Sequence, residues 1–514
     1  MRKRLMAGVV GVLAASALAA APVYADEGAV VRTAYGAVRG EVTADHRIYQ
    51  GVPYAAPPSG ELRLRAPRPP ASWDGVLDAT RRMPRCPQTY VWPEGTPPRF
   101  DGAEDCLYLN LHVPRGATGK LPVMVFLHGG NSGAGSQYDP RRITGPGGVI
   151  VVTINYRLGA LGFLRHESLR DPYAGNFALA DQQAALRWVR TNIDAFGGDS
   201  RNVTLWGESY GGFSVCAQLA SPAARGLFDK AIVQSASCGN SLVSRAEADR
   251  RGRRAVESLG CAGAADVAAC LRAVPVERIA ALPNTLTHQR DIAAAMPWFY
   301  TAGTAVLPLQ PIDAARVGLG SQVPLLQGGT RDEMRGVIAE VLRIEETPLT
   351  DQRYREIVDG FYGRAAGRVY ERYSTARYGT PSLALATLQT DEGRAVGTCG
   401  QVAYDEVHKR RSPVYAYEFA EDSGVVEGDL PLGASHGDDI PLFFDSYWDA
   451  PAASSMMDSD LSVELIGRWT AFARSGRPGW QAYRSGDALS ISSQHVGPVN
   501  VARTHQCAFW RTVG

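Results

Sequence analysis

Val203-Thr-Leu-Trp-Gly-Glu-Ser-Tyr-Gly-Gly-Phe-Ser-Val-Cys-Ala-Gln-Leu-Ala220 is the stretch on which the reading of this chain turns. It opens with a short apolar run, residues 203–206, and closes with residues 213–220, which can form a helix. Between them stands Gly207-Glu-Ser-Tyr-Gly211, a match to G-x-S-x-G. Strand, tight turn and helix in that order lift a serine hydroxyl above a sheet and set it at a helix N-terminus, where developing negative charge is favoured. Small residues at Gly207, Gly211 and Gly212 allow strand and helix to approach closely. The pattern alone is weak, because Gly433-Ala-Ser-His-Gly437 matches it too. Ser435 has neither a strand before it nor a helix directly after, so Ser209 is the candidate nucleophile.

Outward from this stretch the same alternation continues. Leu121-Pro-Val-Met-Val-Phe-Leu127, Val149-Ile-Val-Val-Thr-Ile154, Ala231-Ile-Val-Gln234 and Val323-Pro-Leu-Leu-Gln-Gly328 are apolar without a polar face. Such runs suit strands buried on both sides, hence a parallel sheet. Leu179, Leu186, Val189 and Ile193 recur at helical spacing between two of them. Strands alternating with helices predict a doubly wound α/β sheet. Near the start, residues 30–42 alternate around Tyr35-Gly36 and read as a β-hairpin, while residues 53–98 are too rich in Pro and Gly for long elements. Residues 245–378 carry a helical pattern, yet strand-like runs return at residues 414–419 and 488–491. Helical insertions into one domain spanning residues 26–514 are therefore expected.

The chain has 514 residues, 45% hydrophobic and 20% charged, as expected of a globular protein. Its 53 basic and 52 acidic residues leave a net charge of +1 and no footprint for nucleic acid or an acidic membrane surface. A small, largely uncharged partner is expected. Arg2, Lys3 and Arg4 precede an Ala-rich apolar run over residues 5–21, and Val23 and Ala25 place small residues before a cut ahead of Asp26. This is the layout of a signal peptide over residues 1–25, shorter than a membrane anchor, and no second apolar run of spanning length follows. The mature chain is expected to be exported and extracellular. Export makes disulfides the natural use of the eight cysteines, none of which forms a C-x-x-C pair.

A serine hydroxyl becomes a nucleophile only when a base takes its proton, and that base is most often a histidine oriented by a carboxylate. In a strand–turn–helix arrangement of this kind the partners follow in the order serine, acid, histidine. His288, His408, His436, His495 and His505 follow Ser209. His408 stands beside Lys409, Arg410 and Arg411 and reads as a solvated helix face, whereas His436 lies in a Gly-, Ser- and Asp-rich loop. The acid should end a strand between the two, and Asp332 and Glu333 both follow the run at residues 323–328. On the residues alone either carboxylate serves. His128-Gly-Gly-Asn131 is similar to the H-G-G-G turn whose amides bind an oxyanion, which makes the N–H groups of Gly130, Asn131 and Tyr210 the candidate donors. No phosphate-binding glycine pattern accompanies that turn, and no cofactor or metal is expected.

Taken together these residues resemble the type-B carboxylesterase and cholinesterase family. The likeness runs from Gln50-Gly-Val-Pro-Tyr-Ala-Ala-Pro-Pro58 to Cys507-Ala-Phe-Trp510, through Glu104-Asp-Cys-Leu-Tyr-Leu-Asn110, Asn155-Tyr-Arg-Leu-Gly-Ala-Leu-Gly-Phe-Leu164 and Asp181-Gln-Gln-Ala-Ala-Leu-Arg-Trp188. The resemblance implies an α/β-hydrolase fold: a mostly parallel central sheet, helices on both faces, helical insertions and a small N-terminal antiparallel hairpin. It implies a carboxylic ester hydrolase acting through an acyl-enzyme on Ser209, with His436 as base and Glu333, rather than Asp332, as the acid. It also implies three disulfides, Cys86–Cys106, Cys261–Cys270 and Cys399–Cys507, leaving Cys216 and Cys238 unpaired. Asn131, Ser132, Tyr210 and Met334 depart from the family pattern and put substrate identity, not the reaction, in question. Trp92 falls where cholinesterases carry a choline-binding Trp, but reads here as a loop residue. A lipase or polyester hydrolase, and a non-catalytic binding protein on the same fold, are the competing readings.

Overall fold

The computed structural model describes residues 30–90, 98–130, 133–284, 289–345, 348–447, 450–451 and 460–513, so the expected signal peptide lies outside the described residues. In chain order the strands of the two larger sheets are β1 (Val30–Arg32), β2 (Ala37–Arg39), β3 (Glu41–Val42), β4 (His46–Pro53), β5 (Val76–Asp78), β6 (Tyr108–Pro114), β7 (Leu121–Leu127), β8 (Ile150–Ile154), β9 (Gly198–Glu208), β10 (Lys230–Gln234), β11 (Leu325–Thr330), β12 (Val414–Phe419), β13 (Asp487–Ile491) and β14 (Val496–Asn500). Eleven of them form one sheet in the order β14, β13, β12, β11, β10, β9, β7, β8, β6, β4, β3. Every pairing from β13 to β8 is parallel. The strands at both margins are antiparallel.

The apolar runs form these strands because both faces of the sheet are covered. Successive side chains of a strand point to opposite faces, and in β7 Val123, Val125 and Leu127 enter one core while Met124 and Phe126 enter the other. Helices α1 (Phe177–Asn192) and α2 (Tyr210–Ala220) pack on the first face through Leu186, Val189, Phe213 and Val215. On the second face α6 (Asp460–Ser475) brings Leu465, Trp469 and Phe472 onto Phe126 and Trp206. Between β11 and β12 lie α3 (Met334–Glu345), α4 (Pro381–Glu392) and α5 (Thr398–His408), and a further helical set stands between β10 and β11. The sheet resumes after each, as an inserted block requires. No described helix is long and apolar enough to cross a membrane.

The expected N-terminal hairpin is present as β1 and β2, extended by β5 into a small mixed sheet. Residues 41–42 leave the hairpin and join the large sheet as β3.

All eight cysteines are paired. Cys86–Cys106, Cys261–Cys270 and Cys399–Cys507 are bonded as the resemblance implies. The expectation that Cys216 and Cys238 are unpaired is wrong: they form a fourth disulfide, with their Cα atoms 5.0 Å apart. The chain leaving β10 passes directly beneath α2, so close that a Cβ on Gly212 would lie 2.7 Å from that of Ala236. This brings a cysteine two turns along α2 over one that is 22 residues away in sequence.

Candidate active site

The register of the sheet gathers the site. Gly207 of β9 lies opposite Leu127 of β7, and Glu208 lies opposite Gln234 of β10. The turn after β7, the turn after β9 and the end of β10 therefore meet at one edge. Ser209 turns the chain from β9 into α2 with φ 54° and ψ −120°, a conformation that disfavours any residue with a side chain. Its N–H donates to Gln234 O at 2.9 Å and its carbonyl accepts from Phe213 N at 3.0 Å, so strand and helix hold it from both sides. The turn closes only over glycine. A Cβ on Gly211 would lie 1.9 Å from Leu127 O, and one on Gly207 would lie 2.3 Å from Gly211 O.

Above this turn Ser209 Oγ lies 2.8 Å from His436 Nε2, and His436 Nδ1–H donates to Glu333 Oε2 at 2.6 Å. Glu333 is fully buried, and its other oxygen accepts from Thr330 N at 2.8 Å, which fixes the carboxylate in the turn after β11. Asp332 points elsewhere. It pairs with Arg331 at 2.9 Å and Arg335 at 2.7 Å, and it accepts from Ala434 N at 3.1 Å. Of the two neighbouring carboxylates, Glu333 is the one brought to His436. Burial works against a charge on His436, but Glu333 and then Glu208 outweigh it and hold the imidazole above the ordinary histidine range.

On the oxyanion side, Gly129 approaches so closely that its Cβ would stand 3.2 Å from that of Ser209. Gly130 follows with φ 77°. His128 is buried and its Nδ1–H donates to Gly129 O at 3.0 Å, while its ring stacks on Tyr156 at 4.4 Å. Burial pushes His128 down to about 4, so it braces the turn as a neutral ring. The N–H of Tyr210 belongs to the first turn of α2, whose amides have no partner one turn earlier. Its side chain is buried, donates from the hydroxyl to Trp298 O at 3.1 Å and packs edge-on against Phe299 at 5.4 Å. Asn131, Ser132 and Trp92 lie outside the described residues.

The remaining sequence candidates fall away from the site. Ser435 Oγ accepts from Gly336 N at 2.9 Å. His408 is buried rather than on a solvated helix face, and its Nε2–H donates to Val323 O at 2.9 Å. The charged neighbours that suggested exposure follow it at the end of α5, whereas the ring itself faces β11. His505 is locked between Asp391 and Glu418 at 2.6 and 2.8 Å, and His288 lies outside the described residues. His495 sits in the turn between β13 and β14, with its N–H 3.1 Å from Ser492 Oγ. Sequence reasoning missed Glu208, whose Oε1 lies 3.5 Å from His436 Nε2. Burial raises its pKa to about 8, opposed by His436 and reinforced by Asp439 and Glu333. It stands at a variable position of G-x-S-x-G, where the pattern asks for nothing. Among the described residues no cluster of His, Cys, Asp and Glu could hold a metal ion.

Known proteins resemble this chain over most of its length. A profile described as the carboxylesterase family matches residues 27–510. The chain is 35% identical to the para-nitrobenzyl esterase of Bacillus subtilis (strain 168) over 474 residues, which is 88% of this chain and 92% of that one. It is 33% identical to the fumonisin B1 esterase of Sphingopyxis macrogoltabida, covering 94% of this chain and 90% of that one. A solved structure titled PNB esterase superposes with a TM-score of 0.78 at 32% identity, covering 94% of this chain and 99% of that one.

Proposed function

The chain belongs to the carboxylesterase family and is a carboxylic ester hydrolase with an α/β-hydrolase fold, and we propose that it is an exported serine esterase acting through an acyl-enzyme on Ser209. The observation that carries this reading is the hydrogen-bond chain from Ser209 through His436 to Glu333, mounted on a strained turn at the head of α2.

Ser209 Oγ attacks the ester carbonyl carbon while its proton passes to His436 Nε2. The carbonyl oxygen becomes an oxyanion and receives the N–H groups of Gly130, Asn131 and Tyr210, and each such donor is worth ~10²–10³ in turnover. Glu333 keeps the proton on Nδ1 and stabilises the imidazolium. The intermediate collapses as His436 gives its proton to the departing alkoxide, which leaves as the alcohol. Water then attacks the acyl-enzyme with His436 again as base, releasing the acid and restoring Ser209.

The near-neutral charge and the likeness to a para-nitrobenzyl esterase favour a small, largely uncharged ester. The N-terminal layout over residues 1–25 and the four disulfides support export of one domain over residues 26–514. Rapid mixing with a para-nitrophenyl ester tests the acyl-enzyme. A burst of nitrophenol equal to the enzyme concentration is expected wherever deacylation is slower than acylation, and a nucleophilic alcohol should divert the acyl group into a new ester. If no ester tried gives either a burst or transfer to the alcohol, the covalent route is wrong. N-terminal sequencing of the exported protein should begin at Asp26.

A further inference from the structure

Behind the acid turn lies a second cavity of about 430 Å³, lined by none of Ser209, His436 or Glu333. Its walls come from the start of α3, from α4, from the short helices Thr375–Tyr378 and Val501–Thr504, and from the residues following the latter. Arg331, Arg335, Arg377 and Arg503 converge there with His505, against only two lining carboxylates, Asp332 and Asp391. Both carboxylates are already committed. Asp332 is held by Arg331 and Arg335, and Asp391 is shared between His505 at 2.6 Å and the Tyr373 hydroxyl at 2.7 Å. His505 is itself spent on Asp391 and Glu418, which take both of its ring nitrogens.

That leaves Arg377 and Arg503, both solvent-exposed, without a carboxylate partner among the described residues; Arg377 lies only over the Tyr378 ring at 5.7 Å. Unpaired guanidinium forks match planar or tetrahedral oxyanions. We propose that this cavity binds a compact oxyanion of two or more charges, a phosphate or a short dicarboxylate, through Arg377 and Arg503. An occupant sits against the Arg331–Asp332–Arg335 clamp, and Asp332 exchanges two hydrogen bonds with Ala434, in the loop that carries His436. Binding therefore stiffens the wall that joins the acid turn to that loop.

Calorimetry and melting curves with inorganic phosphate or malonate, at ionic strength held constant with sodium chloride, test this. The wild type should show saturable heat and a saturable rise in melting temperature. Arg377→Gln/Arg503→Gln should bind at least tenfold more weakly with ester turnover unchanged, and Arg377→Lys/Arg503→Lys, which keeps the charges but loses the forks, should fall between the Gln variant and the wild type. A response to phosphate alone assigns a phosphoryl ligand, and one to malonate alone a dicarboxylate. No response beyond that of chloride, or an undiminished response in the Gln double variant, overturns the proposal.

Discussion

Ser209 and its neighbours show how unequal residues of the same chemistry become once the chain is folded. Ser209 and Ser435 share a five-residue pattern, yet only Ser209 follows a buried strand and heads a helix, and that difference could be read from the flanking residues. Asp332 and Glu333 could not be told apart in this way. They are adjacent carboxylates, and what separates them is which side chain the turn after β11 aims at His436 and which it gives to Arg331 and Arg335. Glu208 was invisible for a different reason, since its proximity to His436 depends on the partner loop arriving from more than 200 residues away. Glu333→Gln should lose up to ~10⁴-fold in turnover because the imidazole loses its anchor and its counter-charge. Asp332→Asn, which removes a brace and not a partner of His436, should lose far less. Steady-state rates on a para-nitrophenyl ester decide the matter, and the reverse ranking would transfer the role of acid to Asp332.

For elements, the sequence told most where an apolar run had no polar face. β7, β9, β10, β11 and β12 stand where those runs stand, and the hairpin of β1 and β2 sits on its Tyr35-Gly36 turn. It told least where two elements cross. The bond between Cys216 and Cys238 exists because α2 packs back over the segment after β10, a fact of packing that no spacing of cysteines contains. Peptide mapping of the unreduced, alkylated protein should recover all four pairs and no free thiol; an alkylated Cys216 would contradict the fourth. The approach of α2 to the end of β7 makes Gly211 intolerant of a side chain. Gly211→Ala drives a methyl to 1.9 Å from Leu127 O, against backbone that does not yield, and should cost about 1–3 kcal/mol or more along with most of the turnover. Gly467→Ala, in α6 with open space around its Cβ, should instead be neutral or stabilise by about 0.5–1 kcal/mol. Equal losses in urea denaturation for both variants would mean that the elbow is not the tight point.

For the whole molecule, the C-terminal segment is tied to the sheet and its insertions through His505, which joins Asp391 of α4 to Glu418 of β12. Its pKa lies above the ordinary 6.5 and reaches about 10 in the folded chain. A raised histidine contributes stability that is fully present below the unfolded value and lost as pH rises through the folded one. The stability gap between wild type and His505→Gln should therefore narrow between pH 7 and 10; a gap that widens would show that the ring is neutral in the fold. The sheet as a whole brings one oxygen atom, Ser209 Oγ, to its base. The most direct test is to treat the protein with a fluorophosphonate probe and locate the adduct by mass spectrometry. A single label on Ser209 is expected, abolished in Ser209→Ala and retained in Ser435→Ala. A label on Ser435, or undiminished labelling of Ser209→Ala, would contradict it.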